Sequence, residues 1–120
     1  MNGPCFLFRS IITLMVNRTT AGNYHLCEKD ERQQLVVRRV GRSDTDLREE
    51  LLKHTEDQTR LLFFFEYAAG PEEAYRRECL DYHEFRGTLF VQKHPRPPEG
   101  SDLRCPVEGC EYGEGKMPQR

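Results

Sequence analysis

An α+β fold, a small antiparallel sheet with flanking helices, is what three features of this sequence predict. Two stretches with strand character are joined by a polar turn. A continuous apolar run of strand length lies downstream, and two amphipathic segments with helix-start signals flank that run. The chain has 120 residues, 37% hydrophobic and 32% charged, which is room for one small core.

Residues 1–19 open on an apolar patch, Phe6 to Val16, followed by Asn17-Arg18-Thr19. They predict an extension that packs one short strand or helical turn on the core. Tyr24-His25-Leu26-Cys27 is the first strand of the main unit, with Tyr24 and Leu26 on one face. Glu28 to Arg32 is a polar turn, and the β-branched Leu35 to Val40 returns as the second strand of a hairpin. Ser43-Asp44-Thr45-Asp46 offers N-cap oxygens for a short helix from Leu47 to His54, whose Leu47, Leu51 and Leu52 face the core. Glu49 and Glu50 suit the positive end of that helix; Lys53 and His54 suit the negative end.

Leu61 to Phe65, ending at Tyr67, reads as a central strand buried on both faces. Gly70-Pro71 starts a second helix that runs to about Phe85, with Pro71 at its first position. Thr88 to Val91 is a further extended piece. Beyond it, Pro95, Pro97, Pro98, Gly100, Pro106 and Gly109 forbid regular structure, so residues 93–120 form a Pro/Gly-rich tail, ordered only where something pins it. The order is β-β-α-β-α over residues 20–92, a size at which a second copy of the chain, as a homodimer, would help complete the core.

Composition narrows the function classes. No apolar run reaches the roughly 18 residues of a membrane span, so no membrane partner is expected. Five cysteines, an odd number, predict reduced thiols and a cytoplasmic setting. Cys27 and Cys79 lie in apolar stretches and read as buried filler. Net charge is −2, from 18 basic and 20 acidic residues, which argues mildly against a dedicated nucleic-acid binder. Yet 14 of the 18 cations are Arg, the side chain suited to bidentate phosphate contacts.

The order of elements and particular residues in them resemble the GIY-YIG nuclease family. Gly22-Asn23-Tyr24 stands where that family has Gly-Ile-Tyr, and Arg39-Val40-Gly41 where it has Tyr-Ile-Gly. Arg42 is similar to the basic residue that often follows, and Pro71 to Glu78 resembles the family's Ala-x-x-x-Glu helix through Ala74 and Glu78. The resemblance covers roughly residues 20–92. It implies a divalent-metal-dependent endonuclease that hydrolyses DNA phosphodiester bonds with Mg²⁺ or Mn²⁺. Glu78 would hold the metal, Tyr24 would accept a proton or orient a water, and Arg42 would contact phosphate.

The chain departs from the family pattern at identifiable places. Arg39 replaces the second tyrosine of the signature, Glu50 stands where the first helix has arginine, and Val91 and Gln92 stand where an asparagine is expected. Arg48, two positions from Glu50, is about 200° around the helix and faces elsewhere. A second reading is therefore a catalytically inactive module of the same fold that binds nucleic acid or protein. The two readings differ on whether Arg39 projects into the pocket or Glu50 occupies the phosphate position. Taken singly, Tyr24 reads as packing, Glu78 as solvated surface, and Arg38, Arg39 and Arg42 as a solvated edge. The near-balanced charge predicts weak, salt-sensitive DNA binding.

The tail adds an independent signal. Cys105-Pro-Val-Glu-Gly-Cys110 looks like a knuckle with His94 upstream, and thiolate and imidazole suit tetrahedral Zn²⁺. A structural site needs four ligands, and His83 and Cys79 are the nearby candidates for the fourth. A tail with two free thiols, or a zinc-stabilised domain with no nucleic-acid role, are the alternatives.

Overall fold

A computed structural model describes residues 1–56 and 61–113. Seven elements follow one another: β1 (Asn2–Phe6), α1 (Arg9–Met15), β2 (Gly22–Lys29), β3 (Leu35–Ser43), α2 (Leu47–Lys53), β4 (Leu62–Tyr67) and α3 (Pro71–Phe85). The four strands form one antiparallel sheet in the order β1-β4-β2-β3. The α+β class and the antiparallel sheet match expectation. The expected β-β-α-β-α order is incomplete, because the first residues supply both a strand and a helix ahead of it. Pro4, which has no N–H to donate, is tolerated in β1 because β1 is an edge strand.

The β2–β3 hairpin is closed by Asp30, whose carboxylate accepts from the backbone N–H of Arg32 and Gln34, with Gln33 in the left-handed region at φ 64°. Asp46 caps α2 by accepting from the Glu49 N–H. Pro71 occupies the first turn of α3, where its missing N–H costs nothing.

Side chains alternate across the sheet and build three layers. On one face Tyr24, Leu26, Phe63 and Phe65 pack with Leu7, Ile12 and Val16 of the N-terminal segment and Leu47 and Leu51 of α2. On the other, Asn23 donates to the Ala74 carbonyl of α3, and His25 lies 2.9 Å from Asp81 with its ring edge-on to Phe85. β4 is not buried on both faces as its run of apolar residues suggests. Phe63 and Phe65 are buried, while Leu62 and Phe64 are half-buried, because α3 packs over β2 and β3 and leaves that part of β4 less covered. Residues 88–91 form no strand. Their one backbone tie to the sheet runs from the Phe90 N–H to the Arg38 carbonyl. No helix among the described residues is long and apolar enough to cross a membrane.

Candidate functional site

A groove of about 360 Å³ runs over the β3 edge, and its lining includes Tyr24 from β2, Arg39, Gly41 and Arg42 from β3, Glu50 and His54 from the α2 end, and Glu78 from α3. Residues 93–96 cross to form the remaining wall. The register explains the convergence. Tyr24 pairs with Gly41 and Leu26 with Arg39, so Tyr24, Gly41 and Arg39 share the α2 face. Arg42 pairs with Asn23 and belongs to the α3 face, where it meets Glu78. Gly41 is required sterically: a Cβ there would stand 2.3 Å from the Tyr24 hydroxyl oxygen. The phenol therefore lies directly over the glycine of its partner strand.

The Tyr24 hydroxyl donates to Glu50 Oε2 at 3.2 Å and lies 2.8 Å from His54 Nε2. Glu50 and His54 are four residues apart on one side of α2, and their closest atoms are 3.6 Å apart. Burial, then the Glu50 charge, hold the Tyr24 phenol well above its ordinary value, so it is a neutral hydroxyl across the physiological range. Glu50 is held below the usual carboxylate range, chiefly by the adjacent His54 side chain. Glu78 moves the other way: burial raises it, and Arg42 offsets part of that rise.

Arg42 is divided between two carboxylates. Its Nη1 donates to Glu78 Oε1 at 2.5 Å and its Nε to Asp44 Oδ1 at 2.7 Å, with the guanidinium over the Tyr75 ring. Arg39, Lys93 and Arg96 line the same groove without a hydrogen bond or ion pair to another described residue. Hence the groove carries unpaired cations although the chain as a whole is slightly acidic.

The five residues that the nuclease reading singles out, Tyr24, Arg39, Arg42, Glu50 and Glu78, line this one groove. Arg48 faces elsewhere, toward Thr19. Among the lining residues that the sequence does not assign to the site are His54, at a helix end that suits a cation, and Lys93 and Arg96, in the irregular tail. The Glu50/His54 spacing was the available signal for the first. The other two had none, since the tail returns over the groove through tertiary contacts.

A second cluster lies in the neighbouring cleft. One ligand atom from each of His83, His94, Cys105 and Cys110 falls within 4.8 Å of all the others, an arrangement that can hold a metal ion. The expected trio is thus joined by His83. Cys79 instead packs in the buried cluster with Tyr75 and Cys105. Burial lowers the His83 imidazole below its usual value, which favours its neutral, ligating form. Among the described residues this is the one such group of three or more His, Cys, Asp or Glu side chains; the Glu78 carboxylate has no comparable set around it. Comparison with known family models, curated proteins and solved structures finds no match for this chain.

Proposed function

We propose that the groove is the site of a GIY-YIG-like, divalent-metal-dependent endonuclease that hydrolyses DNA phosphodiester bonds. The observation that carries this reading is the meeting of one half-buried carboxylate, a neutral phenol beside an imidazole, and three cations unpaired among the described residues, around one opening. Glu78 fits Mg²⁺ or Mn²⁺ as a single-carboxylate anchor. Its hydrogen bond to Arg42 uses only Oε1, and Mg²⁺ commonly binds through one or two carboxylates while keeping waters and substrate oxygens. When bound, the cation would neutralise charge on the scissile phosphate and its leaving oxygen.

The protein's own groups supply the rest. Arg39, Lys93 and Arg96 draw the phosphate into the groove, and Arg42 exchanges part of its carboxylate pairing for a phosphate oxygen. The Tyr24 hydroxyl orients the attacking water and relays its proton: as Oη takes the water's proton, its own passes to Glu50 Oε2, to which it already donates, and Tyr24 never becomes a phenolate. His54 Nε2, 2.8 Å from that hydroxyl and 3.6 Å from Glu50 Oε2, stands beside both groups. The leaving oxygen takes a proton from solvent. Binding is weak and salt-sensitive, because only a few cations face the phosphates. For the second cluster, thiolate and imidazole donors select Zn²⁺ over Mg²⁺.

One observation favours the second reading, an inactive module of this fold. The Arg42–Glu78 pair ties the proposed metal ligand to the proposed phosphate contact, and Glu50 places a further carboxylate in the groove. Plasmid nicking with Mg²⁺ or Mn²⁺ separates the two. The wild type should nick, and Glu78→Ala and Tyr24→Phe should each lose most of that activity. DNA binding with no nicking under any metal condition would select the inactive module.

A further inference from the structure

We infer that His83, His94, Cys105 and Cys110 form a structural zinc site that staples the strap of residues 91–97 across the groove, fixing Lys93 and Arg96 in its wall. The claim that these two cations meet phosphate rests on the nuclease reading; the staple itself does not.

Two of the ligand–ligand distances match those of a zinc tetrahedron, and all four donor atoms lie within 4.8 Å of one another. A tetrahedral Zn²⁺ with Zn–S of about 2.3 Å and Zn–N of about 2.0–2.1 Å sets sulfur and nitrogen ligands about 3.5 Å apart. Cys105 Sγ lies 3.5 Å from His83 Nε2, and Cys110 Sγ lies 3.4 Å from His94 Nε2. The surrounding contacts orient the donors. His94 Nδ1 lies 2.8 Å from the Pro95 carbonyl, so a proton on Nδ1 leaves Nε2 as the lone-pair nitrogen. The Tyr112 N–H points to Cys110 Sγ at 3.4 Å, as an amide does toward a thiolate. The Cys105 N–H donates to the Tyr112 carbonyl, and Gly109 turns the knuckle at φ 83°, a conformation that favours glycine.

The four ligands come from three segments: α3, the strap and the knuckle. His94 lines both the metal cleft and the groove, so it is the shared wall between them. Upstream, the strap is held by the Phe90–Arg38 backbone bond and by Thr88 Oγ1 donating to the Val37 carbonyl. From Val91 to Pro98 no residue makes a backbone bond to the sheet, so His94 is where zinc would close the strap.

Trypsin reports on the staple without DNA or Mg²⁺, so its outcome is independent of nuclease activity. The Lys93–His94 and Arg104–Cys105 bonds each abut a proposed ligand. Full-length reduced protein should hold about one zinc per chain, and Co²⁺ in its place should show the spectrum of a tetrahedral thiolate site. His94→Ala and Cys110→Ser should bind zinc about a hundredfold more weakly or worse. Cleavage at the two bonds should be slow with zinc and at least about tenfold faster after chelation, while the fragment holding residues 22–85 stays intact. If Cys110→Ser fails to fold, chelated wild type carries the test. Sub-stoichiometric zinc in reduced wild type, zinc that leaves cleavage at Lys93 unchanged, or loss of the whole sheet on chelation would each overturn the proposal.

Discussion

The groove over β3 takes its reactive side chains from two strands and two helices, whereas the His/Cys cluster takes three of its four donors from chain with no helix or strand. In the groove, sheet register and helix packing set the side chains, and Tyr24, Glu50, His54, Arg42 and Glu78 already satisfy one another. The second cluster stands largely on irregular chain, and its four donor atoms lie within 4.8 Å of one another. The contrast separates two ways of making a site: one preorganised by the fold, the other completed by the ion it binds. Groove mutations should therefore act on stability and chemistry while leaving zinc in place, and tail mutations should do the reverse.

The largest structural effect is expected at Gly41. Its replacement by alanine drives a methyl into the Tyr24 ring, so Gly41→Ala should cost about 1–3 kcal/mol in urea unfolding. It should also displace the phenol and abolish most nicking, yet retain one zinc per chain. Loss of zinc in this variant would break the separation between the two regions. Next comes the cap of α2, the helix that presents Glu50 and His54. Asp46→Ala removes the acceptor of the Glu49 N–H and should cost about 1 kcal/mol, read from the same unfolding curves.

The two groove carboxylates sharpen the comparison further, because they respond to pH in opposite directions. Glu50 is lowered in the folded protein, so its contribution is present above the ordinary carboxylate range and is lost as pH falls through its lowered value. Glu78 is raised, so ionising it opposes folding as pH rises from the ordinary carboxylate range through its raised value. Glu50→Gln should thus lose stability relative to wild type at neutral pH and regain parity in acid. Glu78→Gln should gain on wild type as pH rises through that window. Parallel pH profiles for the two variants would contradict the assignment. The smallest effect belongs to Gly70, the extended N-cap of α3, where a Cβ meets nothing within 4 Å. Gly70→Ala should change stability by no more than about 0.5 kcal/mol, against the large cost at Gly41.

What could be foreseen from sequence follows the range over which each signal acts. The β2–β3 hairpin, the Asp46 cap and the Pro71 start of α3 rest on residues close together in the chain, and each stands where its local chemistry places it. Tyr24, Gly41 and Glu78 were legible as a set through their order and spacing. By contrast, β1 was hidden because a proline and the single apolar patch do not announce an edge strand that pairs with a segment 60 residues away. His83 as the fourth ligand, and Lys93 and Arg96 as groove wall, depend on how the tail folds back over α3. No periodicity in the tail encodes that return.

The most direct measurement is nicking of a supercoiled plasmid by zinc-loaded protein, with and without added Mg²⁺, for wild type and Glu78→Ala. Nicking should require Mg²⁺ or Mn²⁺ beyond the bound zinc, and should fall about a hundredfold or more in Glu78→Ala while that variant keeps its zinc. Equal nicking by the two proteins, or none by wild type at any Mg²⁺ or Mn²⁺ concentration, would contradict the groove as a metal-dependent phosphodiesterase.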